Sequence, residues 1–144
     1  FRNSRLGEWL NRGFNAFAEI AARTCTRTPL SEELQRAFTG PYDSWANRVA
    51  TTHFVQDIPL RPGDPSWGTI KQIESGLAQF RKTPALICWG QRDFIFRRAF
   101  YNTWRKHLPQ AEVHSFPEAG HYLLEDVGEK VIGLMRDFFT RHPA

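Results

Sequence analysis

Pro84-Ala85-Leu86-Ile87-Cys88-Trp89-Gly90 is an apolar run closed by a glycine. A run with no polar residue to mark a solvent side reads as a central strand of a parallel sheet, buried on both faces. Ala111 to Phe116 reads as a second short strand, followed by the loop Pro117-Glu118-Ala119-Gly120-His121. Between them, a helix from about Arg97 to Leu108 carries Phe100, Trp104 and Leu108 on one face. Strand, helix, strand in that order predicts a layered α/β structure with a parallel sheet. A last helix from about Val127 to Arg141 offers Val131, Leu134, Met135, Phe138 and Phe139 to a core. Two such strands cannot make a stable sheet, because each needs neighbours on its open edges. Further strands are therefore expected upstream. The chain also begins Phe1-Arg2-Asn3-Ser4, without Met, as a piece of a longer protein would.

Upstream of the first strand the pattern is helix after helix. Ser66 is placed to cap a helix whose Trp67, Ile70, Ile73, Leu77 and Phe80 share one face. Asp57 to Pro65 holds three prolines and a glycine, an extended connection and the best internal boundary. Before it, a helix starting near Asp43 carries Trp45, Val49 and Ala50. A shorter one follows Ser31, with Glu32 and Glu33 in its first turn, and stops at Gly40-Pro41. Residues 4 to 22 set Leu6, Trp9, Leu10, Phe14, Phe17 and Ala21 at helical spacing after Asn3 or Ser4 as N-cap.

With 144 residues, 41% of them hydrophobic and 24% charged, the chain has the make-up of an ordinary globular domain. No apolar run approaches the ~18 residues of a membrane-spanning helix, and the N-terminus lacks the apolar core of a secretory signal. Two cysteines, Cys25 and Cys88, are too few for a disulfide framework, so a reducing cytoplasm is the default. The net charge of +4 raises nucleic acid as a partner. The densest cluster, Arg97, Arg98, Arg105, Lys106 and His107, instead reads as the solvated face of an amphipathic helix, and no nucleic acid is expected. His53, His107 and His114 have no carboxylate or cysteine at ligand spacing, so no metal is expected.

Asp93 lies four residues beyond the first strand and His121 five beyond the second. Catalytic groups of an open α/β sheet gather beyond the carboxyl ends of its strands, so adjacent strands would put both side chains on one rim. An aspartate accepting a hydrogen bond from Nδ1 of a histidine fixes its tautomer and stabilises the imidazolium formed when Nε2 takes a proton. Taken singly, Asp93 reads equally as a turn residue or helix cap, and His121 as an ordinary loop histidine.

Pro84 to Asp93, followed by Phe116-Pro-Glu-Ala-Gly-His121-Tyr-Leu-Leu-Glu-Asp, resembles the last two strands of the α/β-hydrolase fold with their acid and histidine. Phe54-Val-Gln-Asp-Ile-Pro59 and Trp67 look like the branch holding haloalkane dehalogenases and the β-lactone decarboxylases of olefin biosynthesis. The resemblance implies the C-terminal portion of an α/β-hydrolase fold, residues 57–144, preceded by a helical cap, residues 1–56, that lids the active site. It implies Asp93 and His121 as catalytic residues, no cofactor, and an apolar small molecule as substrate: a haloalkane, an epoxide, an ester or a β-lactone. Trp9 and Trp45 would lie in the cap, where relatives hold a leaving halide with indole N–H groups, or would simply pack. Phe94 and Phe96 would line the substrate pocket or seat the next helix.

The family's nucleophile sits on a sharp turn of the form small-x-nucleophile-x-small, and nothing here fits it. Ser66 comes nearest, with Gly68 two residues on, but Asp64 occupies the small position before it. The His-Gly stretch that supplies an oxyanion-hole amide is absent too. Both would lie on a missing N-terminal half, and residues 1–144 alone are expected to be inactive. The rival reading is a non-catalytic α/β binding or interaction module. A redox or nucleotide-binding domain lacks its glycine-rich phosphate loop.

Overall fold

The computed structural model describes residues 2–143. They form seven α-helices and one parallel pair of strands among the described residues. The chain divides into two compact units. One runs to Thr24 and resumes over Leu30–Ser75; the other joins Cys25–Pro29 to everything from Gly76 onward.

The first unit is helical. The single helix expected over residues 4–22 is two helices, α1 (Arg5–Phe14) and α2 (Ala16–Thr24). Asn15 separates them with a left-handed backbone, φ 54° and ψ 32°, a conformation that asparagine tolerates better than most residues. Of the two candidate N-caps, Ser4 serves: its Oγ accepts from Gly7 N at 3.0 Å. Helix α3 (Glu32–Thr39) starts as read, with Ser31 Oγ accepting from Leu34 N.

The helix expected from Asp43 begins only at Val49, as α4 (Val49–Asp57), leaving Trp45 in a turn. Side chains compete for the backbone there: Asn47 Nδ2 donates to Asp43 Oδ1 and Asn47 N to Ser44 Oγ. Arg48 then donates to the carbonyls of Arg12, Gly13, Tyr42 and Asp43, taking up acceptors at the end of α1. Buried Asn11 ties α1 to α4 by donating to Thr51 and Thr52 Oγ1, while Phe17 N donates to its Oδ1. Ser66 does not cap α5 (Trp67–Gly76); its hydroxyl donates to Asp57. Helix α5 stops at Gly76, a poor helix former, and continues as a 3₁₀ turn over Leu77–Phe80.

In the second unit, β1 (Leu86–Gly90) and β2 (Glu112–Phe116) run parallel, with Leu86 opposite Glu112 and Gly90 opposite Phe116. Helix α6 (Arg98–His107) connects them, and α7 (Leu123–Arg141) follows β2. The last helix thus starts earlier than Val127. Its first turn is set off by a kink, because Val127 has non-helical φ −142° and ψ 32°. Phe116, Ala119, Val127 and Val131 form the core, with Cys88, Leu123 and Leu134 against it.

Burial of β1 on both faces does not hold within this chain, where only Ile87 and Gly90 are buried. Met135 and Phe139, expected in a core, are 40% and 60% exposed, and Phe100 and Trp104 on α6 are 49% and 40% exposed.

Candidate active site

Both strands end where the chemistry is expected to begin. Beyond β1, Gln91 N donates to Phe116 O and Arg92 N to Ala119 O, each at 2.9 Å, so the two loops that follow the strands are stitched together. Gly90 makes this approach possible. A Cβ on it would lie 2.3 Å from Gly120 O and 2.8 Å from Ala119 O, inside contact distance. Ala119 is wholly buried in the same place.

The structure brings Asp93 and His121 together: His121 Nδ1 lies 3.0 Å from Asp93 Oδ2. A carboxylate can only accept, so Nδ1 carries the proton and Nε2 is the lone-pair nitrogen available to a reacting group. Asp93 Oδ1 meanwhile accepts from Ile95 N and Phe96 N, both at 2.8 Å. Asp93 thus closes a turn with one oxygen and holds the imidazole with the other. The pair is largely shielded, with side-chain exposures of 10% for Asp93 and 22% for His121. Coulombic and hydrogen-bond coupling is strengthened in such a place.

Phe96 stacks obliquely on the His121 ring, centroids 5.3 Å apart, and packs edge-on against Phe100. Phe94 is half exposed and makes no ring contact among those described. Trp9 and Trp45 belong to the first unit and are both about half exposed. Trp9 meets Phe14 edge to face at 4.9 Å, and the Arg12 guanidinium lies 4.5 Å from the Trp45 ring centre.

His114 corrects one expectation, because it does have a carboxylate beside it: Nε2 lies 2.8 Å from Glu112 Oε1. Strand alternation puts the two on one face, a signal legible in the sequence as i, i+2. Arg141 donates to the other Glu112 oxygen at 2.6 Å. His114, ahead of Arg141, holds the Glu112 carboxyl below its ordinary value. This is an ion-pair cluster; among the described residues no three His, Cys, Asp or Glu side chains gather as metal ligands. Neither Cys25 nor Cys88 is in a disulfide, and burial, with Glu112 second, pushes the Cys88 thiol up. No described helix is long and apolar enough to cross a membrane.

Sequence reading missed Asp126. Its Oδ1 accepts from Arg27 N at 2.7 Å and Thr28 N at 3.1 Å, and its Oδ2 from Gly120 N at 2.7 Å. The available signal was its place five residues after His121, in the first turn of the last helix.

The fold that holds this site is shared with solved structures. A haloalkane dehalogenase of Bradyrhizobium elkani superposes with TM-score 0.82 over 97% of this chain and 50% of its own, at 25% identity. One from Agrobacterium tumefaciens gives TM-score 0.81 over 97% and 48%, at 21% identity, a likeness of fold. Its fold is that of a C-terminal portion of the α/β-hydrolase fold, about half of each of these chains. Two curated proteins are similar in sequence. The cis-3-alkyl-4-alkyloxetan-2-one decarboxylase of Shewanella oneidensis is 47% identical over 140 residues, 96% of this chain and 44% of that protein. The protein of the same name in Xanthomonas campestris is 42% identical over 142 residues, 99% and 47% respectively. The solved neighbours and the curated relatives thus come from the branch that the sequence resembles, haloalkane dehalogenases and these decarboxylases. It spans less than half the length of the curated relatives it matches. No protein-family model matches it.

Proposed function

We propose that this chain supplies the acid and the histidine of a nucleophile-His-Asp triad, in an α/β-hydrolase-fold enzyme acting on a β-lactone of the cis-3,4-dialkyl-oxetan-2-one kind. The observation that carries the reading is the Asp93–His121 hydrogen bond of 3.0 Å beyond the carboxyl ends of two parallel strands. The names of the two relatives support the substrate. Loss of carbon dioxide from such a lactone leaves an alkene with no change of oxidation state overall, so the reaction calls for no redox cofactor.

The nucleophile, an aspartate or a serine, comes from a segment outside residues 1–144. Support for this lies in the open outer edges of the strand pair and in the share of the relatives that the chain spans. Attack of the nucleophile at C4 breaks the ring C–O bond and frees the ring carboxylate. Loss of carbon dioxide then expels the nucleophile and leaves the alkene, with no water consumed. His121, oriented by Asp93, serves the nucleophile at Nε2, taking the proton of a serine hydroxyl as it attacks and returning it as it leaves. Phe94 and Phe96, in the loop beyond β1, present apolar surface to the alkyl chains.

The test is turnover of a cis-3,4-dialkyl-oxetan-2-one by the full-length gene product, with alkene and carbon dioxide as products. His121→Ala is expected to lower the rate by roughly 100 to 10,000-fold, the worth of a positioned general base. Wild-type turnover in that variant overturns the assignment. So does an upstream coding sequence with no apolar strand ending in a small-x-Asp/Ser-x-small turn, which favours a binding module instead.

A further inference from the structure

We infer that Asp126 is a positioning residue for His121, acting through the backbone on both sides of it; this rests on the reading of His121 as the base. The imidazole has one side-chain tether, Asp93, and a histidine on a loop needs its backbone held as well. That backbone is held at each neighbour. Gly120 N donates to Asp126 Oδ2 at 2.7 Å, and Tyr122 N donates to Cys25 O at 2.8 Å. The second tether depends on the first carboxylate too, because Asp126 Oδ1 holds the segment containing Cys25 through Arg27 N and Thr28 N.

Cys25–Pro29 is the link between α2 and α3, yet it packs with the unit that carries His121. Cys25 and Thr26 are buried there, 3% and 8% exposed. Contact with the His121 loop is tight: a Cβ on Gly120 would stand 3.0 Å from Cys25 O. One carboxylate thus fastens the α2–α3 link and the histidine loop to each other. It sits just before the Val127 kink, in the short first turn of α7. All three of its bonds go to amides of the two neighbouring loops. A carboxylate can serve them all because both its oxygens accept. An amide cannot, since Asp126→Asn must turn an NH₂ toward either the Gly120 N–H or the Arg27 and Thr28 pair.

Asp126 has no bond to His121's ring, so removing it leaves the base present but misaligned. Misplacement on the scale of an ångström can cost about 100-fold in rate. In full-length enzyme, Asp126→Asn is expected to lower kcat roughly 10 to 100-fold and to leave KM within about twofold, because the loss is felt only as the proton moves. The low-field proton resonance of the Asp93-bonded imidazole should weaken or shift in parallel. In the wild type, the Gly120, Arg27 and Thr28 amides should exchange slowly with solvent, a measurement that needs no variant to fold. Unchanged kcat in folded Asp126→Asn, or unprotected Gly120 and Arg27 amides in the wild type, overturns the inference. If His121→Ala keeps wild-type turnover, the base reading itself has failed; if that variant is dead and Asp126→Asn is fully active, only the positioning role has.

Discussion

Asp93 divides its work between its oxygens. Oδ1 closes the turn over Ile95 and Phe96, and Oδ2 holds His121. Hydrogen bonds to an ionised acceptor are worth about 1.5–3 kcal/mol each, so the turn and the imidazole orientation stabilise one another. Gly90 makes the opposite kind of contribution, by occupying no space. Gly90→Ala would press a methyl against the Ala119 and Gly120 carbonyls. Overpacking of this sort costs about 1–3 kcal/mol, read as a lowered urea midpoint, and the displaced loop carries His121, so turnover should fall with it. An unchanged midpoint would show that the loops part without cost. At this scale the sequence was legible for Asp93 and His121, whose spacing from two strand ends is a one-dimensional signal. It was silent for Asp126, because its partners lie 98 and 99 residues away as well as 6.

Elements form where local chemistry and apolar period agree, and break where a side chain offers the backbone an alternative. Helices α3 and α6 appear close to where the periodicity puts them, whereas Asn15 divides α1 from α2 and the Asp43–Asn47 turn delays α4. Strand β2 is joined to the far end of α7 by Arg141 and Glu112, with His114 on the other oxygen. Because the Glu112 carboxyl is held below its ordinary value, its contribution to stability is full above the unfolded value of about 4.3 and is lost as pH falls through the lower folded value. The melting temperature of the full-length protein should therefore exceed that of Glu112→Gln at neutral pH, and the gap should close in acid. A gap that persists unchanged to low pH would place the effect in packing rather than charge.

At the scale of the whole molecule, the outstanding feature is apolar surface. Leu6, Ile20 and Phe54 in the first unit, and Phe100, Met135 and Phe139 in the second, are among many large apolar side chains at least 40% exposed. Isolated exposed leucines are ordinary, whereas apolar surface of this extent is unusual for a protein that stands alone in water. Under the proposed function, residues 1–144 expressed alone should bind an apolar dye, self-associate and turn over no lactone. Full-length protein should do none of the first two and recover the third. A dye-silent, monomeric 144-residue chain would contradict that.

By itself the sequence determined the strand-helix-strand order and placed Asp93 and His121 beyond the two strand ends, since both are written in apolar period and spacing along the chain. Its motifs carried the resemblance to the α/β-hydrolase fold. The tertiary structure decided which oxygen of Asp93 meets the imidazole, that Gly90 lets the loops touch, and that Asp126 fastens the α2–α3 link to the loop of His121. Those contacts join residues far apart in the chain or depend on distances of a few ångströms. No periodicity records them, because hydrogen bonds and close packing act through space and not along the sequence.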